Sequence, residues 1–400
     1  MKKEELYGLS VRLSSVTVFS GVLEKAPVAQ LLRFICSDGD EREKTALYAE
    51  FLRSFASYGF DFTSALCDAV YTDENEYIKR ASSGMPVGDT LRENAARDLD
   101  IFTCLTKITP EAAICALDGK TDLPKFDCPY ADLSSGYAER VKNVMRYGYG
   151  LFSTAKMFRI EGRKIVAVRS PDGISDGDLF GYEEQRKQFA DNIESLLQGV
   201  PASNVLLYGD AGTGKSSAVK AAVNKYAERG LRLIELRKDQ LLTLPNVIDR
   251  LRGDPLKFII YIDDLSFAKN DDSFGMLKAA LEGSTSAAAD NAIICATSNR
   301  RHIVKESFAD RDGDDVHRND TVQELTSLSD RFGLRIYFEK PNKELYLYIV
   351  RKLLEKYGIE PDGRTDKEAE AFALSKGGRS PRTAEQFARL LSAGRKRGKE

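Results

Sequence analysis

Two histidines and six cysteines in 400 residues leave little from which to build a metal centre. Cys36, Cys67, Cys104, Cys115, Cys128 and Cys295 show no C-x-x-C spacing, and most lie in apolar stretches such as AAICAL and AIICAT. That placement favours reduced, buried thiols over disulfides or structural zinc. His302 and His317 have no cysteine pair beside them, so an ordinary loop role is expected of both. Charge of one sign is lacking too. Lys and Arg number 59 against 61 Asp and Glu, for a net charge of -2. No overall field then holds the chain on nucleic acid or an anionic membrane, and any such contact has to be local. No apolar run approaches the roughly 20 residues that span a bilayer. The opening MKKEELYGLS lacks the apolar centre of a signal peptide. A cytoplasmic protein with no membrane partner is the expectation. What the chain does have is 42% hydrophobic residues, enough for ordinary buried cores, and a length that suggests two or three domains.

Residues 1–165 read mostly as helices. Between Glu41 and Tyr58, for instance, Leu47, Phe51, Leu52 and Phe55 recur at helical spacing before Gly59 ends the run. No ligand-like cluster and no repeat appear there, and DGDEREK and YTDENEY read as solvated turns. A partner-binding role is the expectation for this domain. From residue 166 short aliphatic runs alternate with helical patterns. NVLLYG (204–209), LRLIELR (231–237), KFIIYIDD (257–264), NAIICATSN (291–299) and LRIYFEK (334–340) predict five strands. Their nearly continuous apolar character predicts strands covered on both faces, hence a parallel sheet in an α/β core over 166–341. Residues 342–400 turn helical again. Asn342 caps a helix that ends at Gly358, Thr365 and Glu368 form a capping-box pattern, and Ser380 with Pro381 start a third helix ending near Gly394. The basic tail GRKRGK is expected to be solvated.

One stretch carries chemistry. Gly209, Asp210, Ala211, Gly212, Thr213, Gly214, Lys215 and Ser216 fit G-x-x-x-x-G-K-[ST], and Ser217 follows. They lie directly after an apolar strand and open a helix, where successive backbone N–H groups and the helix N-terminus favour a phosphate chain. Lys215 would reach the β and γ phosphates, and the Ser216 hydroxyl would ligate Mg²⁺. FIIYIDD supplies two carboxylates at the end of a buried strand, on the edge where parallel sheets bind ligands. Asp263 is assigned to Mg²⁺ through its water shell, and Asp264 to polarising the attacking water. ATP and Mg²⁺ are therefore the expected cofactors.

With these motifs in place the chain resembles the AAA+ ATPases, over roughly residues 176–394. In GDLFGYEEQRKQF (177–189), Leu179, Phe180 and Gly181 stand where that family packs adenine. Asn299, ending ATSN, matches the polar sensor-1 position, and Arg331 in LSDRFGL the arginine finger, with Arg300 and Arg301 in reserve. Arg382 in GGRSPRTAEQF matches the sensor-2 arginine, and the terminal helices match the family's lid. The resemblance implies a homo-oligomer in which Arg331 reaches a neighbour's nucleotide. Most members carry Asp-Glu where this chain has Asp263-Asp264, a side chain shorter by one methylene. In IDDLSF and LSDRFGL the chain is more similar to bacterial replication initiators than to unfoldases. Residues 238–255, which would hold a substrate-gripping aromatic in threading motors, contain no Phe, Tyr or Trp. The whole pattern is most similar to a group of predicted bacterial AAA+ ATPases, a likeness that supplies a chemistry rather than a pathway.

The expected function is thus Mg²⁺-dependent ATP hydrolysis that switches or remodels a protein partner. The rivals are a nucleotide-gated scaffold with little hydrolysis and a DNA-acting initiator or helicase loader, the latter little supported by the near-neutral charge. No LSGGQ-like stretch points to a transporter, and no acceptor site to a small-molecule kinase. ADRDGDDVHRND (309–320) fails as an EF-hand, because counting from Asp310 its glycine falls at position four and Thr321 at position twelve. It is expected to form a subunit-facing loop carrying Asp312 and Asp314.

Overall fold

The computed structural model describes residues 3–115, 123–265, 289–299 and 331–397, with isolated positions between 275 and 281. They divide into two compact units, Met1–Thr154 and Ala155–Glu400.

The first unit is helical, with Glu41–Ser54, Phe62–Tyr71 and Asp89–Leu105 among its longer elements. Asp40, Asp61, Asn75 and Asp132 each cap the helix that follows by accepting a backbone N–H. The helical run from Glu41 gives way after Ser54 to a short 3₁₀ turn, and Gly59 takes the left-handed conformation that ends it. Aromatic edges fill the interior: Phe51 lies 4.9 Å from Phe55, 5.2 Å from Phe62 and 5.5 Å from Phe126, measured between ring centroids. Edge-on pairs at these distances add to the burial of their large apolar areas. Asp98 is wholly buried and accepts the N–H groups of Thr17, Val18 and Phe19 at 2.9, 2.7 and 3.3 Å, so its carboxyl pins a loop to the middle of a helix.

The second unit is built on a seven-stranded sheet: β1 Met157–Glu161, β2 Lys164–Ala167, β3 Val205–Gly209, β4 Leu231–Leu236, β5 Lys257–Ile262, β6 Ala292–Ser298 and β7 Leu334–Phe338. Its order is β2-β1-β4-β5-β6-β3-β7. The five strands expected from their apolar runs all form and pair in parallel. The β1–β2 hairpin is an addition to that expectation. It turns at Gly162, whose φ is +61°, and joins the edge of β4. MFRIE mixes buried and exposed residues and KIVA has no fully buried one, and both strands are too short and too charged to stand out as sheet core. The unit therefore starts at Ala155, ahead of residue 166.

Three helices follow β7: Lys343–Lys356, Gly363–Ser375 and Pro381–Arg397. Asn342 caps the first, accepting from the Leu345 N–H at 2.8 Å. The second differs from the sequence expectation. Its cap is Asp362, and Thr365 is the reciprocal partner one turn in, while Glu368 pairs with Arg364 at 2.9 Å. Aspartate three residues ahead of Thr365 is the stronger acceptor and takes the cap. The third starts at Pro381 as expected but continues through Gly394 to Arg397, since a lone glycine costs a helix only about 1 kcal/mol. None of the five cysteines whose side chains are described is in a disulfide. Among the described residues no helix is long and apolar enough to cross a membrane.

Candidate functional site

The site lies at the carboxyl edge of the sheet, where β3 sits between β6 and β7 and the chain crosses away to β4. β3 ends at Gly209, and a helix starts at Lys215 and runs to Tyr226. Between them Gly209, Gly212 and Gly214 adopt φ of 132°, 77° and 94°, values L side chains rarely take. At Gly209 the demand is double, because a Cβ there would meet the Phe338 carbonyl oxygen at 2.1 Å on the neighbouring strand. The Thr213 hydroxyl closes the loop onto the Asp210 carbonyl at 2.9 Å.

Lys215 folds into this loop. Its Nζ donates to the carbonyls of Gly209 and Asp210 at 2.9 and 2.7 Å, and the residue is 5% exposed. Burial pulls its ammonium below the ordinary lysine value, against the raising fields of Asp210, Asp264 and Asp263. A buried cation satisfied by neutral carbonyl and hydroxyl oxygens, at the start of a helix, is set up to receive an anion.

The acids arrive from β5. Register pairs Ile262 with Ala296, so Asp263 and Thr297 stand side by side at the ends of β5 and β6. Asp263 Oδ1 accepts from the Thr297 hydroxyl at 2.5 Å, the Tyr261 hydroxyl at 2.7 Å, the Ser216 hydroxyl at 2.9 Å and the Asp264 N–H at 3.1 Å. Burial alone would push this carboxyl up, but the bonds from Thr297, Tyr261 and Ser216 outweigh it and hold the group below the ordinary aspartate value, anionic at neutral pH. Asp264 is one of three non-glycine residues with positive φ among those described, at +50°. Its N–H donates to Thr297 Oγ1 at 2.9 Å, and its Oδ1 accepts from Asn299 Nδ2 at 2.8 Å. The two neighbouring carboxylates thus have different partners, one tied to the loop helix and the other to the end of β6.

The terminal helices close the cleft. Ser380 caps the last of them through the Thr383 N–H at 3.1 Å, which puts Arg382 in its first turn. The Arg382 N–H donates to the Gly212 carbonyl at 3.2 Å, and a Cβ on Gly212 would sit 3.3 Å from the Arg382 Cβ, so helix and loop touch directly. Gly181 lies equally close to the helix Lys343–Lys356: a Cβ there would meet Leu345 Cδ1 at 3.0 Å and Ile349 Cδ1 at 3.1 Å. Lys356 at the end of that helix pairs with Asp178 at 2.5 Å.

Together these elements enclose a cleft of about 780 Å³, within the range of small-molecule sites. Leu179, Phe180 and Gly181 line it, as do Ala211 to Ser217, Asp263, Asp264, Asn299 and Arg382. Gly209 and Asp210 form the root of the loop rather than the cleft wall. Arg331 stands three residues before β7 and does not line its own chain's cleft. Arg300, Arg301, His302, His317, Asp312 and Asp314 lie outside the described residues. Tyr261 and Thr297 escaped the sequence reading. Tyr261 had a usable signal, since it stands two residues before Asp263 and a strand puts such positions on one face. Thr297 becomes visible only through the β5–β6 register.

The residues present suit a hard divalent cation. The Ser216 hydroxyl and the Asp263 carboxylate offer oxygen atoms 2.9 Å apart at the mouth of the phosphate loop. Among the described residues there is no group of three or more His, Cys, Asp and Glu that could hold a metal ion. A cation that keeps most of its waters and shares phosphate oxygens needs no such cage.

A parallel core in the order β4-β5-β6-β3-β7, a phosphate loop after β3, paired acids after β5 and a helical lid define the class: the second unit is a P-loop module of the AAA+ ATPase superfamily. Within it, the chain belongs to the family described as Protein of unknown function (DUF815), which it matches over residues 153–395. A curated relative, the replication factor C large subunit of Staphylothermus marinus, is 43% identical over 60 residues, 15% of this chain and 14% of that protein. The chain thus spans about a seventh of the length of the curated relative it matches. Among solved structures it is similar to the RuvB Holliday junction branch migration motor of Thermotoga maritima, with a TM-score of 0.37 and 14% identity over 54% of this chain and 63% of that one. It is also similar to the FIGL-1 AAA domain in complex with ADP, with a TM-score of 0.40 and 17% identity over 57% of this chain and 76% of that one.

Proposed function

We propose that this protein binds and hydrolyses ATP in a Mg²⁺-dependent reaction, and that the cycle switches or remodels a protein partner within a homo-oligomer. The observation that carries the reading is the division of labour between the two acids: Asp263 accepts from Ser216 at 2.9 Å, and Asp264 from Asn299 at 2.8 Å, on the same cleft. The loop N–H groups of Gly209 to Gly214 cradle the phosphates, and Lys215 exchanges its carbonyl partners for β and γ oxygens. Leu179, Phe180 and Gly181 take the base. Ser216 directly and Asp263 through the water shell would hold Mg²⁺, which when bound would neutralise charge on the phosphates. Asp264 orients and polarises the attacking water, with Asn299 fixing its carboxylate, and Arg382 brings the lid onto the γ-phosphate. Arg331 lies off its own cleft, which suits a finger offered to a neighbouring subunit. The helical unit up to Thr154 is assigned the partner, the sheet unit from Ala155 to residue 341 the nucleotide, and residues 342–400 the lid.

Steady-state phosphate release tests this reading. Release is expected with ATP and Mg²⁺ and should fall to background in EDTA. ATP binding without release would favour a nucleotide-gated scaffold. Salt-sensitive binding of DNA that ATP strengthens would favour a loader.

A further inference from the structure

Tyr261 is 1% exposed inside β5, where any large apolar side chain would fill the space, yet it carries a hydroxyl. A buried hydroxyl without a partner costs about 1–3 kcal/mol. The partner this one has is the carboxylate of Asp263, at 2.7 Å. The geometry points to Tyr261 as a positioning residue for the cation site: its phenol fixes Asp263 Oδ1 and so holds the carboxylate ready for the nucleotide-bound Mg²⁺. This rests on the ATP-binding function proposed above.

The three hydroxyls on Oδ1 are not equivalent. Ser216 can bind the cation through a lone pair while its O–H still donates to Asp263, but its hydroxyl turns about χ1 and its position then follows the cation. Thr297 also accepts the Asp264 N–H at 2.9 Å, so its position follows the conformation of the second acid. Tyr261 is different, since its oxygen sits at the end of a rigid ring locked in the sheet and is placed by packing rather than by a freely turning short side chain. It is the donor whose place on Asp263 does not follow the cation or the second acid. Among the described residues every hydrogen bond to the Asp263 carboxylate goes to Oδ1, which leaves Oδ2 uncommitted for a water on the cation. Groups that orient a metal-binding carboxylate typically change metal affinity 10- to 100-fold when removed.

The test is Tyr261→Phe, which removes one oxygen and keeps the ring. Binding of a non-hydrolysable ATP analogue would be measured by calorimetry on the full chain, in Mg²⁺ and in EDTA, beside the parent protein. The expected result is an affinity in EDTA within about twofold of the parent and a loss of about tenfold in the enhancement that Mg²⁺ confers. An unchanged enhancement would overturn the inference, and so would an equal loss under both conditions, which marks a packing role only. If the parent protein binds no analogue with or without Mg²⁺, the nucleotide reading and this inference fall together. A parent that binds normally beside an unaltered variant removes the inference alone.

Discussion

Lys215→Ala is expected to lower affinity for ATP by about 100-fold, measured by calorimetry in Mg²⁺, while the free chain stays folded. The size follows from two charge-assisted hydrogen bonds to phosphate oxygens, each contributing about 1.5 kcal/mol. The asymmetry between binding and stability follows from the burial of this side chain. Lys215 sits 5% exposed with carbonyl partners, and burial already pulls its ammonium below the ordinary lysine value. Without a ligand its charge is a cost to the fold, offset in part by the carbonyls of Gly209 and Asp210. Its removal should therefore move the thermal midpoint by no more than a few degrees. A variant that bound ATP as the parent does would remove Lys215 from the phosphate site. A collapse of the fold would make it a structural residue first.

Asp264→Asn is expected to lower the rate of ATP hydrolysis at least 100-fold, with ATP affinity within about threefold of the parent, because a positioned general base contributes 10²- to 10⁴-fold. The substitution is a clean one for this backbone. Asp264 holds a φ of +50°, which asparagine also tolerates, so the turn after β5 should be kept. The amide can still meet Asn299, whose Nδ2 now donates to Asp264 Oδ1 at 2.8 Å. What is lost is the negative charge that polarises water. Phosphate release at the parental rate would show that another group performs this step. A matched loss of affinity would mean that Asp264 binds the ground state instead.

The two predictions draw on parts of the site that differed in how far they could be read in the sequence. The tight turn after β3 was legible, because three glycines at fixed spacing between an apolar run and a helix leave the backbone little choice, and all three take positive φ. The parallel strands were legible for a related reason: β3 to β6 are covered on both faces and must be apolar nearly throughout, although the edge strand β7 departs from that expectation by exposing Arg335. The β1–β2 hairpin was not, since the edge strand KIVA buries none of its residues fully and so carries no apolar run that marks a core strand. The helix starting at Gly363 shows a finer limit. Asp362 and Thr365 both offer oxygen to its first turn, and only the chain's path settles that Asp362 accepts from the Thr365 N–H, at 2.7 Å. Tyr261 and Thr297 mark a third kind of limit. Each reads as ordinary strand composition, and their bearing on Asp263 depends on the side chain's reach and the register of a neighbouring strand.

In the proposed cycle the lid is where nucleotide binding is expected to become movement. Arg382 is bonded through its own backbone to the Gly212 carbonyl at 3.2 Å, and Lys356 to Asp178 at 2.5 Å. A phosphate chain that reshaped the loop would therefore act on the first turn of the last helix without an intermediary, and the second contact ties the lid to the segment proposed to take the base.

The central claim is that the turn after β3 is shaped for a triphosphate and that the acids after β5 face it. A crystal structure of the protein with a non-hydrolysable ATP analogue and Mg²⁺ tests this most directly. The account predicts phosphates against the N–H groups of Gly209 to Ser216, Lys215 turned from its carbonyls onto them, and the cation between Ser216 and Asp263. An analogue bound elsewhere, or a filled cleft with Asp263 and Asp264 directed away from the phosphates, would contradict it.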